Sequence, residues 1–180
     1  VYQWLGLDIP LGELISAVPT VPGGGTLAVW LGIDALRRGL GAKLYSCNLR
    51  VLDPSWFPGS RTELREKLRA SHDSRKERLE LEALQTFLDL GGDLRMEPLT
   101  RELIRRHLNE QRPLLTGLSA TFLYRDRRTD ASTGQPDDLG GQPDGHFVVL
   151  SHYDREERTV TVHDPWPHSP FEDPHRYHVH

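Results

Sequence analysis

The sequence predicts an α+β fold in which a helical N-terminal half packs on an antiparallel β-sheet. Through about residue 110 the apolar residues recur mostly at helical spacing, whereas the chain after Pro113 is rich in β-forming residues. Two apolar runs, HFVVLSHY and TVTVH, flank the polar stretch DREER and predict a β-hairpin. Helices come first and strands afterwards, without strand–helix–strand alternation, so a parallel α/β fold is not expected.

The helices of the first half are marked by their start and stop residues. Ser60 followed by Glu63 forms a capping box, and Thr26 and Thr100 are predicted N-caps. Glycines follow the apolar pattern of two of these helices and are expected to end them. We predict helices over residues 10–18, 26–39, 60–71, 73 or 74 to 90, and 101–108.

The strands and loops are predicted from composition and alternation. Residues 42–52 are expected to form a strand that buries Cys47 as a structural thiol, and residues 113–124 form a second β-rich run. Residues 125–145 are polar and rich in Asp, Gly and Pro, and we expect a mobile loop there. The final RYHVH resembles a strand that is cut short.

Composition and charge exclude several classes of partner. The formal net charge is −4, from 22 basic and 26 acidic residues that are well mixed, so nucleic-acid binding is not expected. No apolar run approaches the roughly 20 residues needed to cross a bilayer, which predicts a soluble protein without a membrane partner. The single Cys excludes an internal disulfide framework and favours the cytoplasm. The sequence leaves the oligomeric state open.

The chain is expected to be one domain over residues 1–180, truncated at both ends. The segment VYQWLG resembles the tail of a helix that ends at Gly6, and Val1 is not an initiator Met. No basic stretch precedes it, so a signal peptide is not indicated.

The residues most suggestive of chemistry are His146 and Asp164. His146 opens the first hairpin strand and Asp164 follows the second, so the hairpin places them roughly opposite each other. An imidazole held in one tautomer by a carboxylate is the base and orienter half of a catalytic triad. The alternative is that both are ordinary polar residues at strand ends. Gly145 permits another backbone to approach His146, and Trp166 either lines a substrate cleft or covers the core.

Five segments carry a resemblance to a known family. They are GGGTLA (23–28), LRRG (36–39), LDPSWF (52–57), LLTGLSATFLYR (114–125) and DGHFVVL (144–150). Together they resemble the stand-alone bacterial branch of the C39-like cysteine peptidases, which have a papain-like fold. The resemblance implies a hydrolase of peptides or other amides, with His146 as general base, Asp164 as orienter and no cofactor. It places the catalytic Cys, and the Gln of the oxyanion hole, upstream of Val1.

Three hypotheses for the function therefore remain. The first is a thiol hydrolase whose nucleophile precedes Val1, because Cys47 is not placed at a helix N-terminus as an activated thiol would be. The second is a catalytically inactive C39-like domain that binds peptides in the same cleft. The third is a metal-dependent hydrolase, because seven of the nine His lie between residues 146 and 180; their irregular spacing disfavours it, and no metal is predicted.

Two further motifs are given structural interpretations. The glycines at 23–25 lack the ending of a phosphate-binding loop and are expected to form a flexible helix entry. Asp130, Asp137, Asp138 and Asp144 lack the spacing of a calcium loop and are expected to form a solvated lid.

Overall fold

The computed structural model describes residues 1–21, 24–71 and 75–180 and confirms the α+β class. Within these ranges it has six α-helices: α1 (Leu11–Ala17), α2 (Ala28–Arg37), α3 (Arg61–Ala70), α4 (Arg75–Asp89), α5 (Arg101–Asn109) and α6 (Ala120–Tyr124). Its strands are β1 (Lys43–Tyr45), β2 (Asp93–Arg95), β3 (Leu114–Ser119), β4 (Gly145–Asp154), β5 (Thr159–His163) and β6 (Arg176–Val179). Short 3-10 helices lie at Gln3–Leu5 and Pro54–Trp56.

Two compact units divide the chain. The N-terminal unit contains Tyr2 and residues 6–99, and the C-terminal unit contains Val1, residues 3–5 and residues 100–180. Each unit has its own hydrophobic core. The single domain over residues 1–180 stays a prediction.

The N-terminal unit is organised around α4, which packs against α2 and α3. The apolar stripe of α4, formed by Leu81, Leu84, Phe87 and Leu88, is buried, and Phe87 is fully inaccessible. Among the residues that the structure describes, twelve are buried in this core: Val29, Ile33, Val51, Leu52, Leu64, Leu68, Leu81, Ala83, Leu84, Phe87, Leu88 and Leu94. By contrast α1 forms as predicted but buries none of its residues, and Leu11 and Ile15 are largely exposed.

A parallel strand pair corrects the expected topology. β1 and β2 pair in parallel, with α3 and α4 between them in sequence, so the prediction of no strand–helix–strand unit was wrong. Each strand has only three residues, too few to show an alternating hydropathy pattern.

The predicted strand over residues 42–52 is mostly a loop. Only residues 43–45 are extended in a ladder, and the chain then turns around Asn48, whose side chain accepts from the Arg50 amide. Cys47 lies in this loop and is exposed, so its prediction as a buried strand residue was wrong. Its thiol donates to the carbonyl of Glu97 at 3.3 Å.

Most helix boundaries follow the predicted caps. Ser60 and Glu63 form the capping box of α3, and the Thr100 hydroxyl accepts from the Leu103 amide at the start of α5. Thr26 does not cap α2: its hydroxyl donates to the carbonyl of Pro19 at 2.8 Å, and the helix begins at Ala28. The predicted start of α4 at Asp73 or Ser74 lies outside the described residues.

The C-terminal unit is built on a four-stranded antiparallel sheet in the order β3-β4-β5-β6. The predicted hairpin is β4–β5, and the RYHVH segment supplies the edge strand β6. The helix α5 contacts β3 and β4. The buried members of this core are Leu108, Val148, Leu150, Val162 and Tyr177.

The second β-rich run is only half strand. β3 ends at Ser119, whose hydroxyl accepts from the amide of Phe122 and caps the short helix α6. The predicted extension of the strand to Tyr124 was therefore wrong, because a hydroxyl cap favours a helical turn over continued extension.

The segment between α6 and β4 is held by its own hydrogen bonds. Thr129 forms bridges with Pro136 and Gln142, and the carboxylate of Asp130 accepts from two backbone amides. The amides of Leu139 and Gly140 likewise bond to Asp137. The mobility of this segment stays a prediction, but its conformation is a set of closed turns.

Candidate active site

His146 and Asp164 meet at one end of the β4–β5 hairpin. The ladder pairs Val149 with His163, so Asp164 continues it opposite Val148 rather than opposite His146. The departure from the expected register begins at the turn, which pairs Asp154 with Thr159, and the β-bulge between Leu150 and His152 then shifts the ladder by one residue toward His146. The two side chains nevertheless meet as diagonal neighbours, with His146 Nε2 at 2.7 Å from Asp164 Oδ1.

Among the described residues, the carboxylate of Asp164 has four hydrogen-bond partners. Oδ1 accepts hydrogen bonds from Nε2 of His146 and from the backbone amide of Trp166, the latter at 2.8 Å. Oδ2 accepts from the hydroxyls of Tyr124 at 2.7 Å and Tyr177 at 2.6 Å. An ionised carboxylate offers about four lone-pair sites, so its acceptor capacity is filled.

These partners keep Asp164 ionised although its side chain has no exposed surface. Burial alone would raise the pKa of Asp164, but hydrogen bonds from Tyr177, Tyr124, His146 and the Trp166 amide outweigh it and lower that pKa below its usual value. For both tyrosines, burial and then the bond to Asp164 raise the pKa. The hydroxyls therefore remain protonated donors at neutral pH.

The imidazole of His146 is held at one nitrogen. With Nε2 donating to an ionised Asp164, the proton of the neutral ring is on Nε2 and Nδ1 carries a lone pair. Within the described part of the chain, Nδ1 has no hydrogen-bond partner, and 18% of the side chain is exposed. The ring of Tyr124 lies beside it, with centroids 6.0 Å apart. Such an imidazole can take a proton from a group placed at Nδ1.

The two weaker site candidates lie next to this pair. Trp166 is 49% exposed, its amide bonds to Asp164, and its ring lies edge-on to His168 at 5.6 Å. Gly145 pairs with Ser119 in the sheet, and nothing lies within 4 Å of where its Cβ would stand. The space on that side of the Gly145 backbone is therefore open, and the part of Gly145 in substrate binding stays a prediction.

The C-terminal histidines do not gather into a cluster. Among the residues that the structure describes, no group of three or more His, Cys, Asp or Glu is arranged to hold a metal ion. His163 Nε2 lies 2.7 Å from the hydroxyl of Ser151, and His178 Nδ1 lies 3.3 Å from that of Thr161.

Sequence reasoning did not identify Tyr124 and Tyr177 as members of this site. Tyr177 alternates with exposed neighbours in a predicted strand, which indicates burial but not the direction of its hydroxyl. Tyr124 was assigned to a strand, whereas α6 carries it. A buried Tyr needs a hydrogen-bond partner for its hydroxyl, and this requirement is the sequence signal that could have linked these tyrosines to a polar site.

The comparisons with known proteins support the resemblance found in the sequence. Residues 92–178 match the model of the Peptidase_C39 like family, and this range includes both His146 and Asp164. The matched part of the chain is thus similar to the C39-like family, in agreement with the resemblance of its sequence segments. Searches among curated proteins and among solved structures found no match. None of the described helices has the length and apolar character required to span a membrane.

Proposed function

We propose that this chain supplies the histidine and aspartate of a C39-like cysteine peptidase or amide hydrolase. The observation that carries the proposal is the His146–Asp164 pair, in which a buried carboxylate fixes the imidazole through Nε2 and leaves Nδ1 available. The family match, which covers both residues, supports it. The nucleophile in this proposal is a Cys in a segment upstream of residue 1, as the family resemblance implies.

The proposed reaction uses His146 first as a base and then as an acid. Nδ1 takes the proton of the thiol, and the thiolate attacks the carbonyl carbon of the scissile amide. His146 returns that proton to the leaving nitrogen as the C–N bond breaks, leaving a thioester. Water then attacks the thioester with His146 as base, which releases the acid and restores the thiol. Asp164 stays ionised throughout and stabilises the imidazolium.

Cys47 is a poor alternative nucleophile. Its sulfur donates to the backbone carbonyl of Glu97 rather than to an imidazole. It lies in the loop that follows the three-residue strand β1, whereas thiolates are favoured at helix N-termini or beside cations.

The proposed substrate is a peptide or another amide that lies over the open space at Gly145 and beside Trp166. An extended chain could approach the backbone of Gly145 because no described side chain fills that space. The half-exposed indole of Trp166 adjoins Asp164 and offers an apolar surface for a substrate side chain. The cytoplasm as location and the absence of a cofactor stay predictions.

The test is thiol labelling of the full-length gene product in a Cys47→Ser background. An iodoacetamide probe at neutral pH should label one upstream Cys rapidly, and His146→Ala should slow this labelling by at least about tenfold because the base is lost. His152→Ala is the matched control, since His152 is an exposed histidine of the same strand. It should leave the rate unchanged.

Two results would contradict catalysis. A full-length protein with no Cys besides Cys47, or an upstream Cys whose labelling does not depend on His146, would reject the thiol hydrolase. The C39-like domain would then be the inactive, peptide-binding alternative, and binding of a peptide pool to wild type and to Trp166→Ala would be compared.

A further inference from the structure

We infer that Tyr124 and Tyr177 are positioning residues that hold Asp164 ionised and aimed at His146. This inference rests on the proposed role of Asp164 as the orienter of His146. It concerns Oδ2, the oxygen that does not touch the imidazole, where both hydroxyls donate at 2.6–2.7 Å.

The two tyrosines fix the carboxylate from different elements. Tyr124 comes from α6 and Tyr177 from β6, while Asp164 itself follows β5. Two donors on Oδ2 and two more on Oδ1 occupy the acceptor sites of both oxygens and fix the plane of the carboxylate. Rotation of the carboxylate away from His146 would leave buried donors unpaired, which is costly.

Both rings are themselves held by packing. Tyr177 is buried and stacks on Phe171 with centroids 3.7 Å apart, and Tyr124 meets the same ring edge-on at 6.4 Å. Phe171 therefore contacts both tyrosines and limits their movement. Tyr124 also lies against His146, so one residue contacts both members of the pair.

The chemical consequence concerns the charge on Asp164. A buried carboxylate without donors would favour protonation, and a protonated Asp164 could no longer stabilise an imidazolium. The hydroxyls counter this effect because they stabilise the anion from inside the core. A phenylalanine would preserve the ring packing and remove only this contribution.

The experiment is an NMR titration of the Asp164 side-chain carboxyl in the 180-residue chain carrying ¹³C-labelled aspartate. Tyr124→Phe and Tyr177→Phe should each raise the titration midpoint of Asp164 by about one pH unit, and the double variant should raise it further. The Asp164 signal is assigned by its loss in Asp164→Asn. Tyr153→Phe is the control, since Tyr153 is a partly buried tyrosine of the same core whose ring instead contacts Arg105.

An unchanged midpoint in the double variant would overturn the inference, since a merely structural role lowers the melting temperature without moving the titration. Should the double variant fail to fold, the single Tyr124→Phe variant decides, because Tyr124 is only partly buried. Thiol labelling does not enter this readout. A failure of the proposed catalysis and a failure of this inference are therefore recorded separately.

Discussion

His146 reaches Asp164 diagonally across the β4–β5 ladder, two positions away from the residue that lies opposite Asp164. The side chains close this offset to 2.7 Å between Nε2 and Oδ1. Diagonal neighbours are about 7–8 Å apart at Cα, so the contact depends on the long imidazole and on a carboxylate that does not move. The hydrogen bonds that hold the Asp164 carboxylate in place therefore also maintain its contact with His146.

Asp164→Asn should damage both the fold and the reactivity. The amide keeps the shape but has one acceptor oxygen and brings an NH₂ group toward two hydroxyls or toward the imidazole. We expect the free energy of unfolding to fall by about 3 kcal/mol, as when a buried charged network loses one partner. Labelling of the proposed nucleophile should slow about as much as in His146→Ala.

Urea unfolding and probe kinetics measure these two effects. Asp138→Asn is the control for the chemical change, because Asp138 is exposed in the loop between α6 and β4. Unchanged stability in Asp164→Asn would contradict the network described around this carboxylate.

The parts of the fold that the sequence predicted are those fixed by local chemistry. The hairpin follows from two β-forming runs that flank the polar stretch DREER. The helices α3 and α5 follow from hydroxyl caps three residues before the amides they satisfy. The pair His146 and Asp164 was found because a hairpin brings its two outer ends together. These features need no knowledge of distant residues.

The features that sequence missed depend on tertiary contacts. The register is set by the turn that pairs Asp154 with Thr159 and by a bulge near Ser151, and no residue type marks either feature. The parallel pairing of β1 with β2 joins segments 50 positions apart, Lys43 and Asp93 among them. The hydroxyls of Tyr124 and Tyr177 converge on Asp164 only after α6 and β6 are placed.

Acid should remove the stabilising contribution of Asp164. Its pKa is lowered in the folded state, because the four hydrogen bonds outweigh the opposing effect of burial. A lowered folded-state pKa means that the contribution is present above the unfolded value of about 3.9 and is lost as the pH falls through the folded value. The stability gap between wild type and Asp164→Asn should therefore narrow below about pH 4.

Unfolding free energies measured in urea from pH 6 down to the acid limit would show this narrowing. Taking the difference between the two proteins cancels the acid dependence of other carboxylates, Asp34 and Asp130 among them. If the unfolding free energies of wild type and Asp164→Asn fell in parallel with pH, Asp164 would not be the ionised acceptor described here.

The N-terminal unit should be sensitive to any side chain at Gly92. A Cβ there would stand 2.4 Å from Cε1 of Phe87, which is fully buried. We expect Gly92→Ala to destabilise the protein by about 1–3 kcal/mol through overpacking. Gly41→Ala is the matched control, because nothing lies within 4 Å of its Cβ position.

A second substitution tests the cause of this effect. Phe87→Leu alone should cost stability by leaving a cavity, but Gly92→Ala should cost less in the Phe87→Leu background than in wild type. Additive effects, measured by thermal and urea unfolding, would show that the ring of Phe87 is not what the new methyl group meets.

The turns between α6 and β4 should protect the arginines at their start from trypsin. Gly141 is buried there, and a Cβ on it would stand 2.4 Å from the carbonyl oxygen of Asp137. Backbone atoms cannot yield as a flexible side chain can, so Gly141→Ala should open the segment. We expect cleavage at Arg127 or Arg128 to become about tenfold faster, because proteolysis follows the population of the open form.

Gly145→Ala is the control for this proteolysis experiment, since its Cβ position is empty, and its cleavage rate should match wild type. The hydrogen bonds from the Ser132 side chain and from the amides of Thr133 and Ser132 lower the pKa of Asp130 to about 2, so these turns should also stay closed at mildly acid pH. If wild type were cut as rapidly as Gly141→Ala, the segment would be the mobile loop that its composition predicts. The hydrogen bonds around Thr129 and Asp137 would then contribute little to its closure, because opening would already be nearly free of cost.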